Sequence, residues 1–376
     1  MFEKQLVGLD IGSTGVRAAR VTGLDEEGFA IIDRLAVIPM RSDAFVSGKV
    51  RNKLIVTEAV KKALKSVGAR SGYVVVGVSS PEQGVSRVAL PAAVKPQERT
   101  SAIKSMGVTV APTVPIAEGV LSANFVREEQ TADGKKVAAL IVGAAMQSDV
   151  ESLSKICKAA GYEPRAVDLS GVATLRALVR DLPTSRDAAI IVDVGATTTT
   201  IVLRDGLYLR SIRSFPGGGL DITRAISAAA REPLEDSEKR KYAMRLSTNS
   251  LQNQTGYGLA LDEEEDLKRL SSESSVEHAM TLAAGTLIDQ IAQAVEADAG
   301  SVATRYVALC GGGAQLRGFK ERLQRRLGVE VRLGQPWAHL ARTKSNLDYF
   351  HNGREDPRLM LSLTTATGLA LWRDIP

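Results

Sequence analysis

Apolar residues recur along this chain in two rhythms. Short continuous runs, "QLVGLDIG", "VRAARVTG" and "FAIIDRLAVIP", are rich in β-branched residues and bounded by glycine turns, which predicts three strands in succession. "NKLIVTEAVKKALKSVG" follows, with Leu54, Ile55, Ala59, Val60, Ala63, Leu64 and Val67 at helical spacing and Gly68 as a stop. "GYVVVGVSS" is apolar throughout, the style of a strand covered on both faces. The stretch from "RVALPAAVKPQERTS" onward holds four prolines and mixed short elements. It closes with a strand, "KKVAALIVGAAM", and a helix, "SDVESLSKICKAAG", for which Ser148 or Asp149 is the expected N-cap. "GVATLRALVRDL" predicts a further helix.

The first rhythm then restarts. "TSRDAAIIVDVGATTTTIVLRDGLYLRSIRSFPGGG" repeats strand, acidic glycine turn, strand, turn and strand in the order seen at the beginning. Such self-similarity predicts a duplicated architecture. Arg224 to about Ser301 reads as helical and holds the acidic run "DEEED", expected to be a solvated loop or helix start. "RYVALCGGGAQLRGFKERLQRRLG" predicts strand, glycine turn and helix, and "RLMLSLTTATGLALWRD" a last apolar helix. The expected fold class is therefore α/β, with two duplicated lobes of mixed sheet plus helices. The first lobe spans 1–188 with a small inserted subdomain at about 74–165. The second spans 189–354 with a helical subdomain at about 224–301, and 355–376 forms a helix returning to the first lobe.

Composition narrows the chemistry. The 376 residues can bury more than one core. With 48 basic against 43 acidic residues the net charge is only +5, and aromatics make up 4 %, so a stacking platform for nucleic acid is not expected. Cys157 and Cys310 are the only cysteines, and His278, His339 and His351 lie far apart, which argues against a zinc site. The start "MFEKQLVGLD" has no secretory pattern, and the longest apolar runs reach about half the length a transmembrane helix needs. A cytoplasmic chain without direct membrane insertion is expected.

The candidate chemistry sits in the glycine turns. In "GLDIGSTG" the turn after Asp10 contains Gly12, Ser13 and Thr14; in "VDVGATT" the turn after Asp193 contains Gly195, Ala196 and Thr197. Converging backbone N–H groups suit an anion, and a carboxylate at each strand end suits a hydrated Mg2+. "FPGGGLDITRAI" places Gly217, Gly218 and Gly219 just before a helix expected to begin near Asp221, where N–H groups and the helix dipole favour phosphate. "ALCGGGAQL" adds Gly311, Gly312 and Gly313 between strand and helix. Together these turns predict a nucleotide clamp, with Asp10 and Asp193 at the metal.

In this order the motifs resemble those of the actin-like ATPase superfamily, which includes actin, the heat-shock chaperone ATPases, sugar kinases and FtsA. Asp10 to Thr14 and Asp193 to Thr197 resemble its two phosphate motifs, and Gly218 and Gly219 its glycine pair. Gly311 to Gly313 resemble its adenosine motif, and "DSEKRK" is similar to its AExxK pattern, which implies Glu238 and Lys241 at the ribose and base. The segments "RVALPAAVKPQERTSAIKSMGVTVAPTVPIAEGV" and "VAALIVGAAMQSDVESLSKICKAAGYEPRAVDLSGVATLRAL" resemble the PilM family of type IV pilus assembly proteins. That resemblance implies an ATP- and Mg2+-binding scaffold, peripheral to the inner membrane, that docks the cytoplasmic tail of a PilN-like protein. It also implies contact with other alignment-complex proteins, and self-association. The tail would lie between the first lobe and the insert, near "VVVGVSS" and "LIVGAAM".

One departure concerns hydrolysis. Where the family carries an acidic residue and a proline this chain has Ser170 and Gly171, leaving no positioned general base, and Asp168 is expected to be structural. No catalytic residue is assigned, and slow hydrolysis or none is expected. The competing readings are a small-molecule kinase of the same fold and an FtsA-like division filament. The second is disfavoured because "GLALWRDIP" carries no basic amphipathic tail.

Overall fold

The computed structural model describes residues 5–246 apart from 28, 108–109, 112–113, 116, 183–187 and 207, and then 264–299, 304–336, 341–342 and 357–373. The chain opens with an antiparallel meander, β1 (Leu6–Gly12), β2 (Gly15–Leu24) and β3 (Ala30–Pro39). A small hairpin, β4 (Phe45–Val46) and β5 (Lys49–Val50), leads into α1 (Lys53–Ser66). Asn52 caps that helix by accepting a hydrogen bond from the Ile55 N–H. Ala59, Val60, Ala63, Leu64 and Val67 are buried, as their spacing predicts; Val56, outside that pattern, joins them, and Leu54 is 73 % exposed on the first turn.

β6 (Val74–Val78) is buried at every position and pairs parallel with β1. The chain then leaves as β7 (Gln83–Pro91), α2 (Arg99–Ser105), β8 (Gly119–Gln130) and β9 (Lys136–Met146). It returns through α3 (Gln147–Ala159), β10 (Pro164–Leu169) and α4 (Ser170–Leu178). The N-cap of α3 is Met146, not Ser148 or Asp149. The Asp149 carboxylate turns instead to the Lys49 ammonium, 2.7 Å away.

The second half holds β11 (Ala188–Val194), β12 (Thr198–Asp205), β13 (Tyr208–Pro216), α5 (Gly219–Ala230), α6 (Leu234–Ala243) and α7 (Glu264–Ala299). Of the "DEEED" run, Asp262 and Glu263 lie outside the described residues, and Glu264 opens α7. β14 (Thr304–Cys310), α8 (Phe319–Leu327), β15 (Glu330–Leu333) and β16 (Ala341–Arg342) follow. The last apolar segment forms two helices rather than one, α9 (Pro357–Ser362) and α10 (Thr364–Ala370). The Leu363 backbone between them leaves helical geometry, with ψ at 0°.

The duplication is visible strand by strand. One sheet runs β10-β6-β1-β2-β3-β16; the other begins β15-β14-β11-β12-β13 and continues β7-β9-β8. In each half a meander is joined along its first strand by two parallel strands. β6 and β10, at the edges of the expected insertion, lie in the first sheet, and α3 packs on that sheet, so the part that leaves the lobe runs from β7 to β9. Its strands extend the second sheet through Ile212↔Val85 and Arg213↔Gly84.

Apolar burial follows the same plan. β1, β2 and β6 pack on α1 and α3; β11, β12 and β14 pack on α5, α7 and α8. α4 and α10 lie between the sheets at van der Waals limits. A Cβ at Gly8 would sit 2.0 Å from the Ala366 carbonyl, and one at Gly368 would sit 1.8 Å from that of Ala173. Among the described residues no helix is long and apolar enough to cross a membrane.

Candidate functional site

A cavity of about 350 Å³ lies where the two meanders face each other. Asp10, Gly12, Ser13 and Thr14 line it from the first lobe, and Asp193, Gly195, Ala196 and Thr197 from the second. Gly219 at the start of α5, Glu238 and Lys241 on α6, and Gly311, Gly312 and Gly313 after β14 complete the wall. Of the glycines singled out in the sequence, Gly217 and Gly218 stand behind this wall.

The two turns touch at their tips, where the Ser13 and Thr197 hydroxyls share a hydrogen bond of 2.7 Å. Hairpin register puts a different residue opposite each aspartate. Asp10 faces Arg17, whose guanidinium lies 3.9 Å from its carboxylate; Asp193 faces Thr200. Asp193 instead accepts hydrogen bonds from the Thr174 and Thr365 hydroxyls, at 3.3 and 3.1 Å. Burial pushes the Asp10 carboxyl up to about 6; Arg17 opposes this and the facing Asp193 adds to it. Asp193 is raised too, again mainly by burial, against the pull of Thr365, Thr174 and Arg17. Negative charge is therefore under-compensated between the lobes.

Glycine is required where backbone closes on backbone. A Cβ on Gly218 would lie 2.4 Å from the Gly195 carbonyl, and Gly311, at φ +85°, would place one 2.3 Å from the Asp193 carboxylate. Gly312 has open space above it. α5 begins at Gly219, two residues earlier than expected, and its first N–H groups are already engaged. Gly219 N donates to Gly195 O and Leu220 N to Ala196 O, both at 2.9 Å. The helix start thus clamps the second turn in place rather than offering all of its donors to the cavity.

The α6 pair is built inward. Lys241 is buried, and its ammonium donates to Glu238, Thr223 and the Gly219 carbonyl at 2.7, 2.9 and 3.1 Å. Desolvation lowers its pKa, while Glu238 holds the proton on. The Tyr242 ring lies 4.7 Å from that ammonium, and its hydroxyl donates to the Gly312 carbonyl at 3.3 Å.

Several lining residues escaped the sequence reading. Arg17 was legible in principle, since a two-residue turn between Gly12 and Gly15 forces it opposite Asp10. Tyr242 and Gln315 adjoin motifs that were recognised, whereas Leu361, Ser362 and Thr365 arrive from the distant C-terminal helices with no local signal. Phe45 and Gly48 belong to a hairpin too short to show periodicity.

Comparison with known proteins agrees with this geometry. The family model described as type IV pilus assembly protein PilM matches residues 8–253, and that of cell division protein FtsA matches residues 190–359. A chain solved as the PilM-PilN type IV pilus biogenesis complex superposes with a TM-score of 0.75 at 21 % identity, covering 97 % of both chains. Ethanolamine utilization protein EutJ from Carboxydothermus hydrogenoformans gives 0.51 at 16 % identity, over 99 % of this chain and 90 % of that one. The fold is the actin-like ATPase fold. With more than half its length matched by one family model, the chain belongs to the PilM family of type IV pilus assembly proteins.

Proposed function

We propose that the cleft binds ATP with Mg2+ and that the loaded protein serves as a scaffold in type IV pilus assembly, holding the cytoplasmic tail of a PilN-like inner-membrane protein. The observation that carries the nucleotide reading is the convergence of two acidic turns and two further glycine turns, remote in sequence, on one cavity. Its volume falls in the range of small-molecule sites.

The residues fit the metal. Asp10 and Asp193 are half-buried oxygen donors whose charge one guanidinium at 3.9 Å leaves under-compensated. Among the described residues no third His, Cys, Asp or Glu joins them, so a cation held there would keep waters and take phosphate oxygens, the habit of Mg2+. When bound, it would neutralise charge on the phosphates. Arg17 and the Ser13 and Thr14 hydroxyls would orient the phosphates from one lobe, with the N–H groups of the second turn opposite. Glu238, Lys241 and Tyr242 would flank the nucleoside.

Hydrolysis is expected to be slow or absent. Ser170 lines the cavity and donates to the Val78 carbonyl at 2.5 Å, and a neutral hydroxyl is too weakly basic to take a proton from water. A small-molecule kinase is disfavoured for the same reason. Docking of a PilN-like tail rests on family membership and on the relative solved as a PilM-PilN complex. The proposed location is between the first lobe and the insert, beside β6 and β9. Through that partner the protein would sit at the inner membrane, and contacts with other alignment-complex proteins and with itself belong to the same reading.

A co-crystal with Mg·ATP tests the site: triphosphate between the two turns is the expected result, and nucleotide elsewhere would refute it. Fluorescence anisotropy with a labelled PilN tail peptide tests the partner, and no saturable binding at any concentration would remove that role.

A further inference from the structure

The segment Ser80–Gln83, where the chain passes from the first lobe into the insert, is tied to the second acidic hairpin by two separate routes. The first runs through the β4–β5 turn. Ser47 donates its N–H to the Thr197 hydroxyl at 3.0 Å and its own hydroxyl to the Thr197 carbonyl at 3.3 Å. Ser47 and Gly48 are both left-handed, at φ 48° and 81°, as a two-residue hairpin turn requires. A Cβ on Gly48 would lie 2.3 Å from the Ser80 side chain, and the next residue, Lys49, pairs with Glu82 as well as Asp149.

The second route is a buried polar chain. Thr200, in the cavity wall, shares a 2.9 Å hydrogen bond with Ser214, to which the Gln83 amide donates at 3.4 Å. Both routes start on cavity-lining threonines and end within four residues of each other.

Two features make this junction fit to move. The Ser80 hydroxyl and the Gln83 amide oxygen are buried with no hydrogen-bond partner among the described residues, the mark of a polar segment with a better-satisfied alternative arrangement. The insert is also held lightly to the second lobe. β7 pairs with β13 at two positions, against nine with β9 inside the insert.

We propose that Ser80–Gln83 is a hinge that couples the occupancy of the phosphate turns to the setting of the insert. A phosphate between the turns competes for the Thr197 and Thr200 hydroxyls. Turning their protons to the phosphate leaves Thr197 and Thr200 as acceptors only toward Ser13, Ser47 and Ser214, so both threonines shift, and the shift is delivered through Ser47 and Ser214 to Ser80, Glu82 and Gln83. This rests on the nucleotide reading above and adds a route by which that nucleotide acts.

Hydrogen–deuterium exchange on the full chain, with and without saturating Mg·ATP, tests it alongside calorimetry on the same samples. The variants are Gln83→Leu, Glu82→Gln (which keeps the Lys49–Asp149 pair) and their combination, each checked by circular dichroism. In the wild type, exchange in β7 and β9 is expected to change about 5-fold or more on binding. The combined variant is expected to keep saturable ATP binding, within about fivefold of the wild type, while losing that response. Should it not fold, the single variants are each expected to halve the response. A wild-type insert indifferent to bound ATP, or variants that respond in full, would overturn the hinge alone. Absence of ATP binding by the wild type would overturn the nucleotide reading and the hinge with it.

Discussion

Asp10 and Asp193 are costly residues. Burial opposes the ionisation of each carboxylate, and at Asp10 the charge of Asp193 adds to it. The folded state holds the Asp10 proton up to about pH 6, whereas the unfolded chain releases it near 3.8. Between those values the folded state binds more protons, so stability of the ligand-free protein falls as pH rises through that window and the full penalty applies above it. A shift of that size corresponds to about 3 kcal/mol at most. Asp10→Asn should therefore raise the Tm at pH 7.5, with the gain shrinking toward zero near pH 4. Thermal melts at several pH values check this, and a lower Tm at pH 7.5 would contradict it. A group that destabilises the empty fold is what a cation site between two lobes requires.

At the scale of elements, glycines decide how closely helices meet strands. Gly368 on α10 sits against the Ala173 carbonyl of α4, so Gly368→Ala should cost about 1–3 kcal/mol or more in urea denaturation. Gly285, within α7, has nothing within 4 Å of where a Cβ would stand, and Gly285→Ala should stabilise by about 0.5–1 kcal/mol. Equal effects from the two would undo this account of packing.

Legibility in the sequence follows the same line. β1, β2, β3 and their repeats were readable because meanders joined by tight turns are local, and the acidic turns came with them. The α3 cap was misread because Asp149 is claimed by Lys49 from a distant hairpin. Pairing of β7 with β13 was invisible, since neither strand's pattern names its partner. Thr174 and Thr365, which hold Asp193 in place, come from helices whose small polar residues read as ordinary packing.

For the whole molecule, a duplicated pair of sheets gives two turns of similar shape but unlike charge. Arg17 compensates Asp10 directly, while hydroxyls serve Asp193. Of the carboxylates that line the cleft, Asp10 and Asp193 are the proposed metal pair and Glu238 is paired with Lys241, while Ser170 offers only a neutral hydroxyl. Phosphate release from ATP is accordingly expected on the order of 10⁻³ per second or slower, the regime of nucleotide-binding proteins without an assisting partner. Turnover orders of magnitude faster in a coupled assay would contradict this. The central claim is that both lobes grip one Mg·nucleotide. Isothermal calorimetry of Mg·ATP on the wild type, Asp10→Ala and Asp193→Ala tests it most directly. Saturable 1:1 binding that weakens about tenfold or more in each variant, and in the wild type without Mg2+, is the predicted result. Wild-type protein that takes up no ATP, or variants that bind it unchanged, would contradict the account.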